Sequence, residues 1–328
     1  MKVPGLSRRD ALRLLCSSAA AGCLPALARA ADAPKPARMT LGFSTYGLPG
    51  VAPLDAVKRV AAAGFDAVEV CCLADFSTAP EKLDKAARRD LGKAIADAGL
   101  RLSALMENLP IHVDAKAHAA NLVRLDRVAE LARELNPDDP PVVESVLGGG
   151  ADKFSALRDS YVARLREWNE IGRKHGVTIA IKPHRMNAVD SVAKANELLS
   201  AIVPQQFSGP PSMLRLAFDW SHYALRDDLK DATPERAVAE ARPHLAFVAV
   251  KDVELVDGKP TFRLPGETGK TDHAAVLKAL HAGGYRGDVN CEVSSVIWKK
   301  PGYDAAAALK LCHEKMSAAF EAAGVKRA

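Results

Sequence analysis

The stretch LRLAFDWSH, residues 214–222, is an apolar run that stops abruptly at Asp219 and His222. A continuous apolar run is what a strand needs when both its faces are buried, as in a parallel sheet. Three other segments repeat the pattern. TIAIKPHR (178–185) ends in Lys182, His184 and Arg185, LAFVAVKD (245–252) ends in Lys251 and Asp252, and DVNCEVS (288–294) carries Glu292. Ionisable groups gathered at the C-terminal ends of buried parallel strands are how barrels and open α/β sheets build their sites.

Working outward, eight strand-like runs are predicted at 39–45, 67–72, 101–106, 142–147, 178–182, 214–219, 245–251 and 288–293. Helical periodicity fills the gaps at 54–63, 81–98, 115–135, 154–175, 191–202, 234–241, 273–282 and 304–323. Tyr161, Leu165, Trp168 and Ile171 show it best, with spacings of four, three and three on one helical face. Gly64, Gly99, Gly176 and Gly283 follow four of these helices, where a cap with positive φ is wanted. Eight β-then-α units in about 290 residues predict a single-domain α/β fold, a (β/α)8 TIM barrel spanning 39–328. The competing open sheet lacks a dinucleotide turn, because GLPG at 47–50 has the wrong spacing. LPGETGKT is no phosphate loop either: only Glu267 and Thr268 separate Gly266 from Gly269, where four residues are required.

Ahead of the barrel, Lys2, Arg8 and Arg9 precede an Ala/Leu-rich stretch from Ala11 to Leu27 and a small-residue site at Ala28–Arg29–Ala30. That order predicts a signal peptide over 1–30 and a short linker over 31–38. SRRDAL resembles a twin-arginine signal, with Ala11 where such signals carry Phe, and so predicts export through the twin-arginine machinery to the periplasm or beyond. Ala20-Ala21-Gly22-Cys23 offers a second processing route, in which lipidation of Cys23 would tether the protein to a membrane. The signal's five basic residues against Asp10 hold +4 of the chain's formal charge of +5. The remaining near-neutral balance, with no basic stripe, argues against nucleic acid as a partner. Cys71, Cys72, Cys291 and Cys312 are too sparse for a disulfide framework and have no zinc-site spacing; they read as small buried apolar groups.

LGFSTYG on the first strand, AAAGFDAVEV into the second, FDWSH on the sixth, VAVKD on the seventh and LPGETGKTDHAAVLKALHAGGYRGDVNCEVS around the eighth carry a resemblance. In order and spacing the chain, from about Leu41 to Phe320, resembles the sugar phosphate isomerase/epimerase group of the xylose isomerase-like barrels. That resemblance implies a divalent metal held by Glu, Asp, His and Glu at the ends of strands five to eight, with proton transfer beside a carbonyl. Asp219 and Glu292 stand at two of these positions. Lys182 replaces the first Glu and Ala249 replaces the His.

An ammonium cannot ligate a metal while protonated. Lys182 is therefore expected between Asp219 and Glu292, neutralising two carboxylates that would otherwise repel. These three residues are the catalytic candidates: Glu292 as general base, tuned toward neutral pH, and Lys182 as proton shuttle or nucleophile. A relocated manganese or zinc ion on His184, Asp219, Glu292 and Glu144 is the alternative cofactor arrangement. His184, Arg185, His222, Lys251, Glu144 and Glu69 are candidate substrate contacts, and Trp220 and Tyr223 either stack on a sugar or pack on a loop. Asp252 is expected to face away from the pocket and pair with a neighbouring loop. The expected function is an exported isomerase, epimerase or lyase acting on a small carbohydrate, a sugar, keto-sugar or polyol. The alternative is a non-catalytic carbohydrate-binding barrel. Export disfavours phosphorylated substrates, which are mainly cytosolic.

Overall fold

Alternation within the strands sorts their side chains onto two faces. Leu41 and Phe43, Val68 and Val70, Leu214, Leu216 and Phe218, and Val289 and Cys291 are buried in one large apolar cluster shared with the helices. Ala104, Ala180, Ala217, Ala249 and Phe247 form a second, smaller cluster. Small residues on one face and branched or aromatic residues on the other let a sheet close on itself with helices outside it. The computed structural model describes residues 38–202, 211–229 and 231–328. The predicted signal over 1–30, the linker up to residue 37, Cys23 and part of the Pro210 turn lie outside the described residues.

The strands β1 (Thr40–Ser44), β2 (Ala67–Cys71), β3 (Arg101–Asn108), β4 (Val142–Val146), β5 (Ile179–Ile181), β6 (Leu214–Phe218), β7 (Leu245–Val250) and β10 (Asp288–Cys291) form a closed barrel. All their pairings are parallel, and Thr40↔Asp288 through Phe43↔Cys291 closes the ring. Gly42 is required at the closure, because a Cβ there would collide with the Asn290 side chain. The helices are α1 (Pro53–Ala62), α2 (Lys85–Asp97), α3 (Ala115–Leu135), α4 (Phe154–His175), α5 (Val192–Ile202), α6 (Pro234–Ala241), α7 (His273–Ala282), a short α8 (Ser295–Trp298) and α9 (Ala305–Ala322). The predicted single-domain (β/α)8 TIM barrel is the observed fold.

Local chemistry explains the boundaries. The predicted helix at 81 starts at Lys85 because Asp84 caps the Ala87 N–H. Asp114, Thr233, Asp272 and Asp304 cap α3, α6, α7 and α9 in the same way. Gly176 ends α4 in the left-handed conformation at φ 64°. β5 stops before Pro183, which has no N–H to continue the ladder.

One element was not anticipated. β8 (Asp252–Val256) and β9 (Lys259–Arg263) form an antiparallel hairpin directly after β7. Its signal is present in the sequence: Asp257-Gly258, with φ of 50° and 72°, is the turn that favours a two-residue hairpin.

Candidate functional site

The parallel ladders deliver four charged residues to one level. Lys182, Asp219, Lys251 and Glu292 are each the first residue beyond the last residue of β5, β6, β7 and β10. Backbone bonds hold two of them at the rim: Lys182 N donates to Ser145 O at 2.9 Å and Glu292 N to Val250 O at 3.0 Å. Glu144 on β4 pairs with Ala180, two residues before Lys182.

Their side chains make a ladder of alternating charge. Lys182 Nζ donates to Glu144 Oε1 at 2.8 Å and to Glu292 Oε2 at 2.7 Å. Lys251 Nζ donates to Glu292 Oε1 at 2.8 Å and to Asp219 Oδ2. The order is Glu144–Lys182–Glu292–Lys251–Asp219, with Glu292 giving one oxygen to each lysine. Asp219 Oδ1 also accepts from Ser221 N at 3.0 Å and Ser221 Oγ at 2.6 Å. All five residues are buried, the most accessible being Glu292 at 7%. Charges this buried are tolerated only when paired in this way.

This corrects the expectation that Lys182 lies between Asp219 and Glu292. Lys182 bridges Glu144 and Glu292, and Lys251 bridges Glu292 and Asp219. Sequence reasoning placed Lys251 toward the pocket but not in this bridging role, because nothing local reports which carboxylates converge across the barrel.

The electrostatics follow from the pairing. Burial opposes the charge on Lys182, yet Glu144 and Glu292 hold its pKa well above the ordinary lysine value. Burial likewise opposes Lys251, and Asp219 and Glu292 raise it. Burial would raise Glu292, but the two ammoniums drive it far down. Glu292 is thus driven down between two ammoniums rather than tuned toward neutral pH, and Lys182 is raised rather than depressed. Glu144 has only one lysine in contact, and burial raises it. Glu69 is fully buried beyond it with neither carboxylate oxygen hydrogen-bonded among the described residues. Burial and the Glu144 charge push its pKa well up.

The two histidines sit on the other side of Lys251. His184 Nδ1 is 2.6 Å from Arg185 O. A carbonyl can only accept, so Nδ1 carries the proton and Nε2 keeps a lone pair. Burial and the Lys251 charge lower the His184 pKa to about 4, which leaves the ring neutral. Its ring lies 4.1 Å from that of His222. His222 is fully buried, its Nε2 is 3.5 Å from Asp219 Oδ2, and burial lowers its pKa well below the ordinary value.

Arg185 does not project as a ligand clamp. It is buried and staples two loops by donating to Ser221 O at 2.8 Å and Ala224 O at 2.7 Å. Trp220 and Tyr223 are buried, and Tyr223 stacks on Phe218 at 5.5 Å, so they pack rather than face a ligand. Asp252 faces away from the ladder, as expected, and accepts from Gly266 N, Thr268 N, Thr268 Oγ1 and His273 in the following loop.

The hairpin supplies a residue the sequence did not flag. Phe262 stands 5.2 Å from Lys251 Nζ, 5.7 Å from Arg185 Cζ and 5.3 Å from the His222 ring. It covers the Lys251 side of the site.

The donor set does not fit the metal that the resemblance implies. Lysine N–H groups take one oxygen of Glu144, both of Glu292 and one of Asp219, and Lys182 and Ala249 stand where the resemblance places a Glu and a His. Among the described residues, no three His, Cys, Asp or Glu side chains are grouped to hold a metal ion.

The family model described as xylose isomerase-like TIM barrel matches residues 57–314. Comparison with curated proteins gives no match. Among solved structures, a xylose isomerase-like TIM barrel/4-hydroxyphenylpyruvate dioxygenase fusion protein is 21% identical with a TM-score of 0.65; the match covers 88% of this chain and 43% of that one. The IolI protein with a binding zinc atom is 18% identical with a TM-score of 0.68, covering 87% of this chain and 98% of that one. The D-allulose 3-epimerase from Methylomonas sp. in complex with D-allulose is 17% identical with a TM-score of 0.64, covering 86% and 97%. At these identities the likeness establishes the fold.

Proposed function

We propose, for a chain that belongs to the xylose isomerase-like TIM barrel family, an exported enzyme that moves a proton next to the carbonyl of a sugar, keto-sugar or polyol. Isomerisation, epimerisation and elimination share this step. The observation that carries the reading is the donor count on the two lysines. An ammonium has three N–H donors. Lys182 and Lys251 each spend two on carboxylates, so each keeps one for a substrate oxygen.

Two fixed positive charges, one on each oxygen of Glu292, would stabilise the enolate or enediolate that forms when the carbon beside the carbonyl loses its proton. Such preorganised donors act strongly in a site from which water is excluded. Glu144, Glu292 and Asp219 position the ammoniums and keep them charged. His184, whose Nδ1 proton is given to Arg185 O and whose Nε2 keeps a lone pair, is the base that takes the proton. No step requires a metal. The export signal points to a free or glycosidic sugar rather than a phosphorylated one.

The test is exchange of carbon-bound hydrogen in D2O, followed by NMR on a set of keto-sugars, with and without chelator. Wild-type protein is expected to exchange the proton beside the carbonyl and to be insensitive to chelator. His184→Gln is expected to slow exchange by about 10²- to 10⁴-fold, the usual worth of a general base. Loss of exchange on chelation, restored by manganese or zinc, would overturn the lysine mechanism. Carbohydrate binding without exchange on any keto-sugar would leave a binding protein.

A further inference from the structure

Three aromatic rings from three different loops meet at the rim beside Glu292. Tyr46 lies in the turn Thr45–Gly47 after β1, Phe76 in the loop after β2, and Trp298 at the end of α8 after β10. Trp298 stands edge-on to both others, 5.4 Å from Tyr46 at 86° and 6.3 Å from Phe76 at 88°. Tyr46 and Phe76 are 5.8 Å apart, tilted by 38°.

The position of this cradle is set by the barrel. Phe43 pairs with Cys291, which brings Ser44 level with Glu292 and Tyr46 just above it. Tyr303 Oη donates to Gly47 O at 2.7 Å and pins the turn. Burial raises the Tyr46 hydroxyl pKa, and the nearby Glu292 charge raises it further.

The rings are not explained by core packing alone. Tyr46 and Phe76 are half-buried and belong to neither apolar cluster, while Trp298 only borders the larger one. Trp298 Nε1 is buried against its surroundings and makes no hydrogen bond among the described residues. Partly exposed rings beside a polar site, two of them outside both apolar clusters, are suited to an amphipathic ligand. A pyranose ring presents C–H groups to the electron-rich faces of aromatics.

We infer that the Tyr46–Phe76–Trp298 cradle is a subsite for a second pyranose ring, glycosidically joined to the sugar held at the charge ladder. The preferred substrate class is then a disaccharide or longer glycoside. This rests on the reading of the ladder as a carbohydrate site, but not on its catalysis.

Isothermal titration of the full protein with cellobiose, maltose and D-glucose tests it without turnover. At least one disaccharide is expected to bind about tenfold more tightly than D-glucose. In Trp298→Ala and Phe76→Ala that preference is expected to collapse toward one, with melting temperature reporting that the barrel is intact. A preference that survives in both variants, or its absence in the wild type, would overturn the subsite. An inactive protein that still prefers a disaccharide would sink the proposed catalysis and leave the subsite standing.

Discussion

Lys182 is the residue on which the chemistry turns, and its neighbours make its role testable. Lys182→Met leaves Glu144 and Glu292 facing each other with one cation fewer. Unpairing a buried charge costs about 3–5 kcal/mol, so this variant is expected to melt well below wild type. Adding Glu144→Gln removes the stranded charge, since Lys251 still holds Glu292. The double variant is expected to recover much of the stability in urea denaturation and none of the exchange activity. Recovery of both would reduce Lys182 to a structural ion. His184 gives a pH test. Its pKa is lowered to about 4, so the neutral, base-competent ring persists down to that pH and is lost below it. The acid limb of kcat/KM is expected near pH 4 rather than near the ordinary histidine value of about 6.5. Stability linked to the same group has the same sign. It is full above the unfolded value and is lost as pH falls through the folded one, because only the unfolded chain takes up a proton between them. An acid limb near 6.5 would show that His184 is solvated in the working enzyme.

At the scale of elements, the β8–β9 hairpin decides access. Phe262 covers Lys251, and Asp252, at the hairpin's root, is tied down by four donors from the Gly266–His273 segment. With the charge ladder buried beneath the rim, a sugar reaches the lysines only if part of this cover lifts. Cation–π contacts are worth about 0.5–2 kcal/mol each, small enough for such a motion to be frequent. Phe262→Ala is expected to speed amide exchange across 252–263 and, by removing a cover that must lift, to lower KM severalfold with a smaller change in kcat. An unchanged KM would place substrate access elsewhere on the rim. The barrel elements themselves were legible, since buried strands and amphipathic helices write their periods into the chain. α3, α4, α6 and α7 span the residues that periodicity predicts. The hairpin was missed because its five-residue strands are polar and half-exposed, and only the Asp257-Gly258 turn announces it.

For the whole molecule, the N-terminal segment and the barrel make separate claims. The proposed export predicts that replacing Arg8 and Arg9 by lysine leaves the protein in the cytoplasm, read by cell fractionation. Periplasmic accumulation of that variant would argue for another route. The proposed export would restrict the substrate to sugars found outside the cytosol, and the proposed subsite would narrow it to glycosides. By itself the sequence determined the alternation of strands and helices, the (β/α)8 barrel, and the strand ends at which Lys182, Asp219, Lys251 and Glu292 stand. These are matters of period and order along the chain. Only the tertiary structure decided which carboxylate each lysine holds, that Glu292 is driven low rather than tuned toward neutrality, and that Phe262 covers the site. Those outcomes depend on distances across the closed barrel and on burial. A buried charge answers to whatever lies within a few ångströms of it, however far away in the chain that neighbour is.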